Sequence, residues 1–219
     1  MRSLVLGLAV SAALASSADA AERLSGTPDD LSVQAVHNFG GCVADTTPKG
    51  AEHLLAIDYR TKEYHEAISR LMKGHSDGRC FSSAAMRANQ ILIAGAMAER
   101  LLIEKVKPSG FATAIAYDAS KPPIAARSRA EMTSICVLRA EPAKSYAIFR
   151  TEPTSADESH AMQAIAPTLM NCVKAGQKMS FNKPGLRASL ALAAYRLATQ
   201  PEASAAANGK LMASEPAPQ

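Results

Sequence analysis

Four cysteines fall into two pairs with nearly equal internal spacing, and this constrains the fold of the 219-residue chain more than any other feature. Cys42 and Cys80 are 38 residues apart, and Cys136 and Cys172 are 36 apart. Each first cysteine is followed by valine (Val43, Val137) and, further on, by proline (Pro48, Pro142). Apolar pairs follow at a matching offset, Leu54-Leu55 and Ile148-Phe149, and then Ile68 and Leu71 against Met162 and Ile165. After each second cysteine comes a long alanine-rich apolar segment, Ile91 to Ile103 and Leu186 to Ala198. These ordered landmarks predict an internal repeat of about 94 residues.

The start of the chain sets the redox setting in which the cysteines are read. Met1-Arg2 is a short positive region, Ser3 to Ser17 is small and apolar, and Ala18-Asp19-Ala20 fits a small-x-small cleavage site. Residues 1–20 therefore read as a signal peptide, cleaved before Ala21. The apolar run is shorter than the ~20 residues that span a bilayer, and no later run reaches that length. The expected location is periplasmic or secreted, where paired cysteines form disulfides. Four cysteines allow three connectivities. The repeat favours Cys42–Cys80 and Cys136–Cys172, one staple per half. In the chain-entropy model each such loop contributes about 4 kcal/mol, a large share of a total near 5–15 kcal/mol.

Helical periodicity runs through almost the whole chain. Thr27-Pro28-Asp29-Asp30 signals a helix start, with Leu31, Ala35 and Phe39 expected inward and Val36 widening that face. Gly40-Gly41 is expected to weaken the end of this helix while letting another helix approach. Thr46-Thr47-Pro48 and Thr61 open the next two helices, and the Ser76-Asp77-Gly78 turn closes the third. Ile91 to Ile103 carries only Glu99 and Arg100 as charges, and a helix apolar over most of its circumference is buried. The second half repeats the plan from Arg127. Its third helix opens at Ser155-Ala156-Asp157-Glu158, with Met162, Ile165, Leu169 and Met170 expected inside and Pro167 expected to kink or split it. Phe111 to Tyr117 reads as a short strand or an irregular crossover. The predicted fold is all-α: two similar four-helix halves forming one compact, disulfide-stapled domain. The segments are a helical repeat over 28–106, a crossover linker over 107–123, a second helical repeat over 124–199 and a disordered tail over 200–219.

No linear motif assigns a chemistry. Tyr64-His65-Glu66 resembles the start of a zinc-protease motif, but Ser69 stands where the second histidine is required. His53, His65 and Glu66 are weak metal candidates on adjacent predicted helices, and a surface role suits them better. Ser180-Phe181-Asn182-Lys183 matches a serine–lysine string, but Pro184 biases Lys183 away from the helical geometry that string needs. Glycine-rich phosphate loops, a nucleophile elbow and a C-x-x-C pair are all absent. The net charge of +4 is small and scattered, so nucleic acid is not expected. No cofactor is predicted, and the acids Glu63, Asp157 and Glu158 read as first-turn residues favoured by the helix dipole.

The repeated C-V-x4-P pattern, with its second cysteine and alanine-rich helix (Gly95 to Glu99, and Arg187 to Arg196), resembles a group of secreted alphaproteobacterial proteins for which no activity is established. The resemblance covers roughly residues 35–197. It implies secretion, helicity and the cysteine plan, and transfers no catalytic residue. The functional expectation is a non-catalytic secreted or periplasmic helical protein that binds a protein or envelope ligand. The alternative is a hydrolase with its site in the groove between the halves, drawing on His53, His65 and Glu66.

Overall fold

The computed structural model describes residues 29–75, 78–80, 88–120, 123–173 and 179–199. The expected signal peptide and tail lie outside these residues, as do Thr27-Pro28 and Ser76-Asp77. Among the described residues there are nine helices and no strand. They are α1 (Asp30–Thr46), α2 (Pro48–Ala56), α3 (Lys62–Lys73), α4 (Gln90–Lys105), α5 (Pro108–Ile115), α6 (Arg129–Ala140), α7 (Pro142–Phe149), α8 (Ala156–Cys172) and α9 (Lys183–Thr199). The fold is all-α and carries two disulfides, Cys42–Cys80 and Cys136–Cys172.

The same corner occurs twice. Thr47 and Glu141 each end one helix and begin the next, with nearly identical backbones (φ −140°, ψ 59° and φ −134°, ψ 60°). Each donates its N–H to the carbonyl of the valine that follows the first cysteine, Val43 or Val137. Proline then fills the first helical position, where no N–H is needed. Thr61 and Ser155 cap the next helices, each hydroxyl accepting a backbone N–H three residues on.

At the centre α4 lies between α1 and α9, which make its most extensive contacts. Two glycines bring the backbones together. A Cβ on Gly40 would lie 2.6 Å from Ala96 Cβ and 2.7 Å from the Ile93 carbonyl; one on Gly95 would lie 2.5 Å from both Cα and Cβ of Ala188. Small side chains permit this separation, and Ile93, Met97, Leu101, Leu190 and Leu197 fill the spaces around the crossings.

Four local expectations are corrected. Leu31 is 77% exposed; the buried face of α1 is Val36, Phe39, Gly40, Val43 and Ala44, in which Val36, Phe39, Gly40 and Val43 are related by three- and four-residue steps. Met170 is 72% exposed, because the inward face of α8 runs through Glu158, Met162 and Ile165. Pro167 lies inside α8 without dividing it. Of the Phe111–Tyr117 segment, residues 111–115 are helical, and Ala116 and Tyr117 follow the helix end. Pro108 starts α5, and Phe111 and Ile115, one turn apart, bury the same face. Phe111 joins Tyr146 and Phe149 in an aromatic cluster, and the Tyr146 hydroxyl donates to the Val106 carbonyl at 3.0 Å.

Candidate functional site

The metal candidates do not make a site. His53 is exposed near the end of α2. His65 is exposed on α3 and pairs through Nδ1 with Gln90 Oε1 at 2.7 Å. Glu66 is exposed and meets Lys62 and Arg70 on its own helix. Among the described residues no group of three or more His, Cys, Asp or Glu is placed to hold a metal. Lys183 does not reach back as the serine–lysine string requires; its amine donates to Ser159 Oγ at 2.8 Å.

Charge instead concentrates inside the junction between the halves. Arg187, at the start of α9, is 4% exposed, and its guanidinium makes a full set of bonds. Its Nε and Nη2 donate to Glu99 Oε2 and Oε1 at 2.8 and 2.6 Å, a bidentate pair. Its Nη1 donates to Glu158 Oε1 at 2.8 Å and to Thr151 Oγ1 at 3.3 Å. Its Nη2 also donates to the Thr151 carbonyl at 2.8 Å. Every donor of the guanidinium is thereby engaged.

The carboxylates are equally occupied. Glu158 Oε2 accepts the N–H of Thr154 at 2.7 Å. Thr154 sits at φ +67°, a left-handed conformation unusual for a β-branched residue. Gln34 of α1 holds that corner from the other half, donating to Thr154 Oγ1 at 2.8 Å. His37 Nε2 lies 3.1 Å from Glu99 Oε1. Burial alone would raise the Glu99 carboxyl, but the Arg187 guanidinium, and then His37, hold it below the usual carboxylate range. Burial opposes the Arg187 charge, yet its bonds to Glu99 and Glu158 hold that group above its ordinary value.

The network joins α1 and α4 of the first half to α8, α9 and the Thr151 corner of the second. Glu158, expected as a first-turn acid, is a buried partner at 3% exposure, and Glu99 is equally buried. The sequence does carry a signal for this arrangement. Glu99 and Arg187 are charges of opposite sign placed within the two long apolar helices, where each needs a compensating partner.

Concavities open along the junction. One, about 850 Å³, is lined from one half by Val33, Val36 and Leu92 and from the other by Phe181, Met179 and Ser189. Among the described residues its polar lining consists of serine and asparagine groups, with Arg129 as the one charged residue. A second, about 520 Å³, opens over His37, Glu99 and Arg187 and has Asp45, Arg100 and Arg150 on its walls. The third, about 530 Å³, lies between the ends of α2, α4 and α9.

No helix among the described residues is long and apolar enough to cross a membrane. In comparisons with known proteins, no family model, no curated protein and no solved structure matches this chain.

Proposed function

We propose that this chain is a non-catalytic helical protein of the periplasm or secreted space, which binds a protein or envelope ligand in the 850 Å³ cleft between its halves. One observation carries the reading. Among the described residues the cleft presents apolar side chains with hydroxyl and amide groups at its polar points and no acid–base pair. The buried ionisable groups beside it are consumed by one another. A binding surface needs an apolar interior with a few orienting polar groups. General acid–base catalysis needs a titratable group within reach of substrate, and among the described residues the cleft lining offers a guanidinium alone.

Two further elements of the reading have separate support. The extracytoplasmic location rests on the leader sequence and on the two disulfides, which persist in oxidising compartments. Descent by internal duplication rests on the paired corners at Thr47 and Glu141 and on one cysteine bridge in each half.

Photo-crosslinking tests the binding reading. A benzophenone amino acid replaces Ser189 or Leu92 in the cleft, and Tyr117, 71% exposed, serves as the outside position. In envelope extract the two cleft positions should yield the same adduct, identified by mass spectrometry and competed away by excess unlabelled protein. Equal labelling from Tyr117, or no competable adduct from the cleft, overturns the proposal.

A further inference from the structure

The third cavity carries a different chemistry, and its argument is independent of the cleft. Among the described residues Lys105, Arg127 and Arg196 line it, together with Glu52 as the one carboxylate. Lys105 and Glu52 pair with each other at 2.7 Å. Glu131 lies behind the wall, 4% exposed, and one of its oxygens takes Arg196 while the other accepts the backbone N–H of Arg127. Asp58, the other nearby acid, has both oxygens bonded to Arg60.

The guanidinium of Arg127 is therefore left with neutral partners. Its Nη2 donates to the Ala56 carbonyl at 3.0 Å, and its face lies 5.8 Å from the centre of the Tyr59 ring. Among the described residues three cations, Lys105, Arg127 and Arg196, stand against two carboxylates, Glu52 and Glu131, so one positive charge is in excess at the cavity wall. Burial, and then the neighbouring Arg196, hold the Arg127 guanidinium below its ordinary value, as expected where cations crowd without enough carboxylate.

Two more features face the same space. Tyr195, 6% exposed, lines the cavity and brings a hydroxyl to it. Leu55 and Ile124 form an apolar patch beside it. A guanidinium with spare donors, a neutral hydroxyl donor and an apolar wall make a complementary set for an oxyanion that bears a hydrocarbon group.

We propose that the cavity bounded by Arg127, Tyr195, Leu55 and Ile124 binds a free organic oxyanion, a carboxylate or phosphate monoester with a short apolar arm. The oxyanion pairs with Arg127 and accepts from Tyr195, and the arm lies against Leu55 and Ile124. Calorimetric titration of the full chain with octyl phosphate and octanoate tests this, with octanol, inorganic phosphate and phosphatidylglycerol vesicles as the other arms.

Saturable one-to-one binding of the octyl anions is expected, with little from octanol or inorganic phosphate and none from vesicles. Arg127→Gln removes the guanidinium while keeping a polar side chain and should weaken binding about tenfold or more, the scale of one charge-assisted hydrogen bond. Tyr195→Phe, a smaller change that leaves the core intact, should weaken it severalfold. Arg150→Gln, in the 520 Å³ concavity, should leave it unchanged. Circular dichroism of each variant checks folding. Absence of saturable binding overturns the proposal, as does octanol binding equal to octyl phosphate. Inorganic phosphate or vesicles binding as well as the octyl anions overturns the free organic ligand. Unaltered affinity in both Arg127→Gln and Tyr195→Phe overturns the placement.

Discussion

Gly40 and Gly41 are neighbours in one helix, yet replacing each by alanine should move stability in opposite directions. Both substitutions gain the same intrinsic helix propensity, about 1 kcal/mol. At Gly41 the new methyl meets nothing within 4 Å, so the gain stands alone. At Gly40 it would meet Ala96 Cβ at 2.6 Å and the Ile93 carbonyl at 2.7 Å. Carbon contacts normally sit near 3.5–4.0 Å, so α1 and α4 would have to separate by roughly 1 Å. The Ile93 carbonyl is main chain in the first turn of a buried helix and cannot swing aside as a side chain would. Overpacking of this kind costs about 1–3 kcal/mol, and the separation also thins the contact along the helix pair that organises the first half.

After the propensity gain, Gly40→Ala should be destabilised by about 1–2 kcal/mol, and Gly41→Ala stabilised by about 0.5–1 kcal/mol. In a domain of this size 1 kcal/mol corresponds to about 2–4 °C. The two melting temperatures should therefore differ by roughly 5–10 °C, with wild type between them. Thermal unfolding followed by circular dichroism under identical conditions gives the comparison. Stabilisation by both alanines, or a melting temperature for Gly40→Ala above that of Gly41→Ala, would refute the close approach of α1 to α4.

Arg187→Met leaves Glu99 and Glu158 buried without their cation; a loss of about 3–5 kcal/mol is expected, read from urea unfolding midpoints. The Glu99 carboxyl is held below its ordinary value in the folded state, so its contribution is present at neutral pH. That contribution is lost as pH falls below the unfolded carboxylate value near 4.3 and through the folded one. Melting temperatures measured from pH 7 to pH 3 should accordingly fall more steeply for wild type than for Glu99→Gln. Replacing Cys136 and Cys172 together by serine opens a loop of 36 residues and should cost about 2–5 kcal/mol, measured by denaturant titration against the wild-type protein.

The features legible in the sequence are those that depend on local pattern. Helix class, the two proline corners and the caps at Thr61 and Ser155 follow from residues within one turn of each other, so the sequence states them directly. On α1 the expected Val36 and Phe39 are buried, while Leu31, which shares their helical spacing, is exposed, because the docking of α4 on Gly40 selects Val36, Phe39 and Val43. Phe111 to Tyr117 reads as a short strand or an irregular crossover, and the i, i+4 spacing that buries Phe111 and Ile115 on one helical face prevails in the structure. The buried network was missed for a different reason. Glu158 in a first turn is well explained by the helix dipole, and nothing local reveals that Arg187, 29 residues later, folds back onto it. A guanidinium within one central helix and a carboxylate within the other was the available clue, and their pairing is a tertiary fact.

Blocking the cleft tests the binding account most directly. A benzophenone side chain at Leu92 is compared in the otherwise native chain and in one that also carries Ser189→Trp, which places an indole across the same space. The account predicts one competable adduct in envelope extract from the first protein, and its loss from the second with circular dichroism unchanged. An adduct of equal yield from both proteins would contradict it, because the ligand would then be held elsewhere.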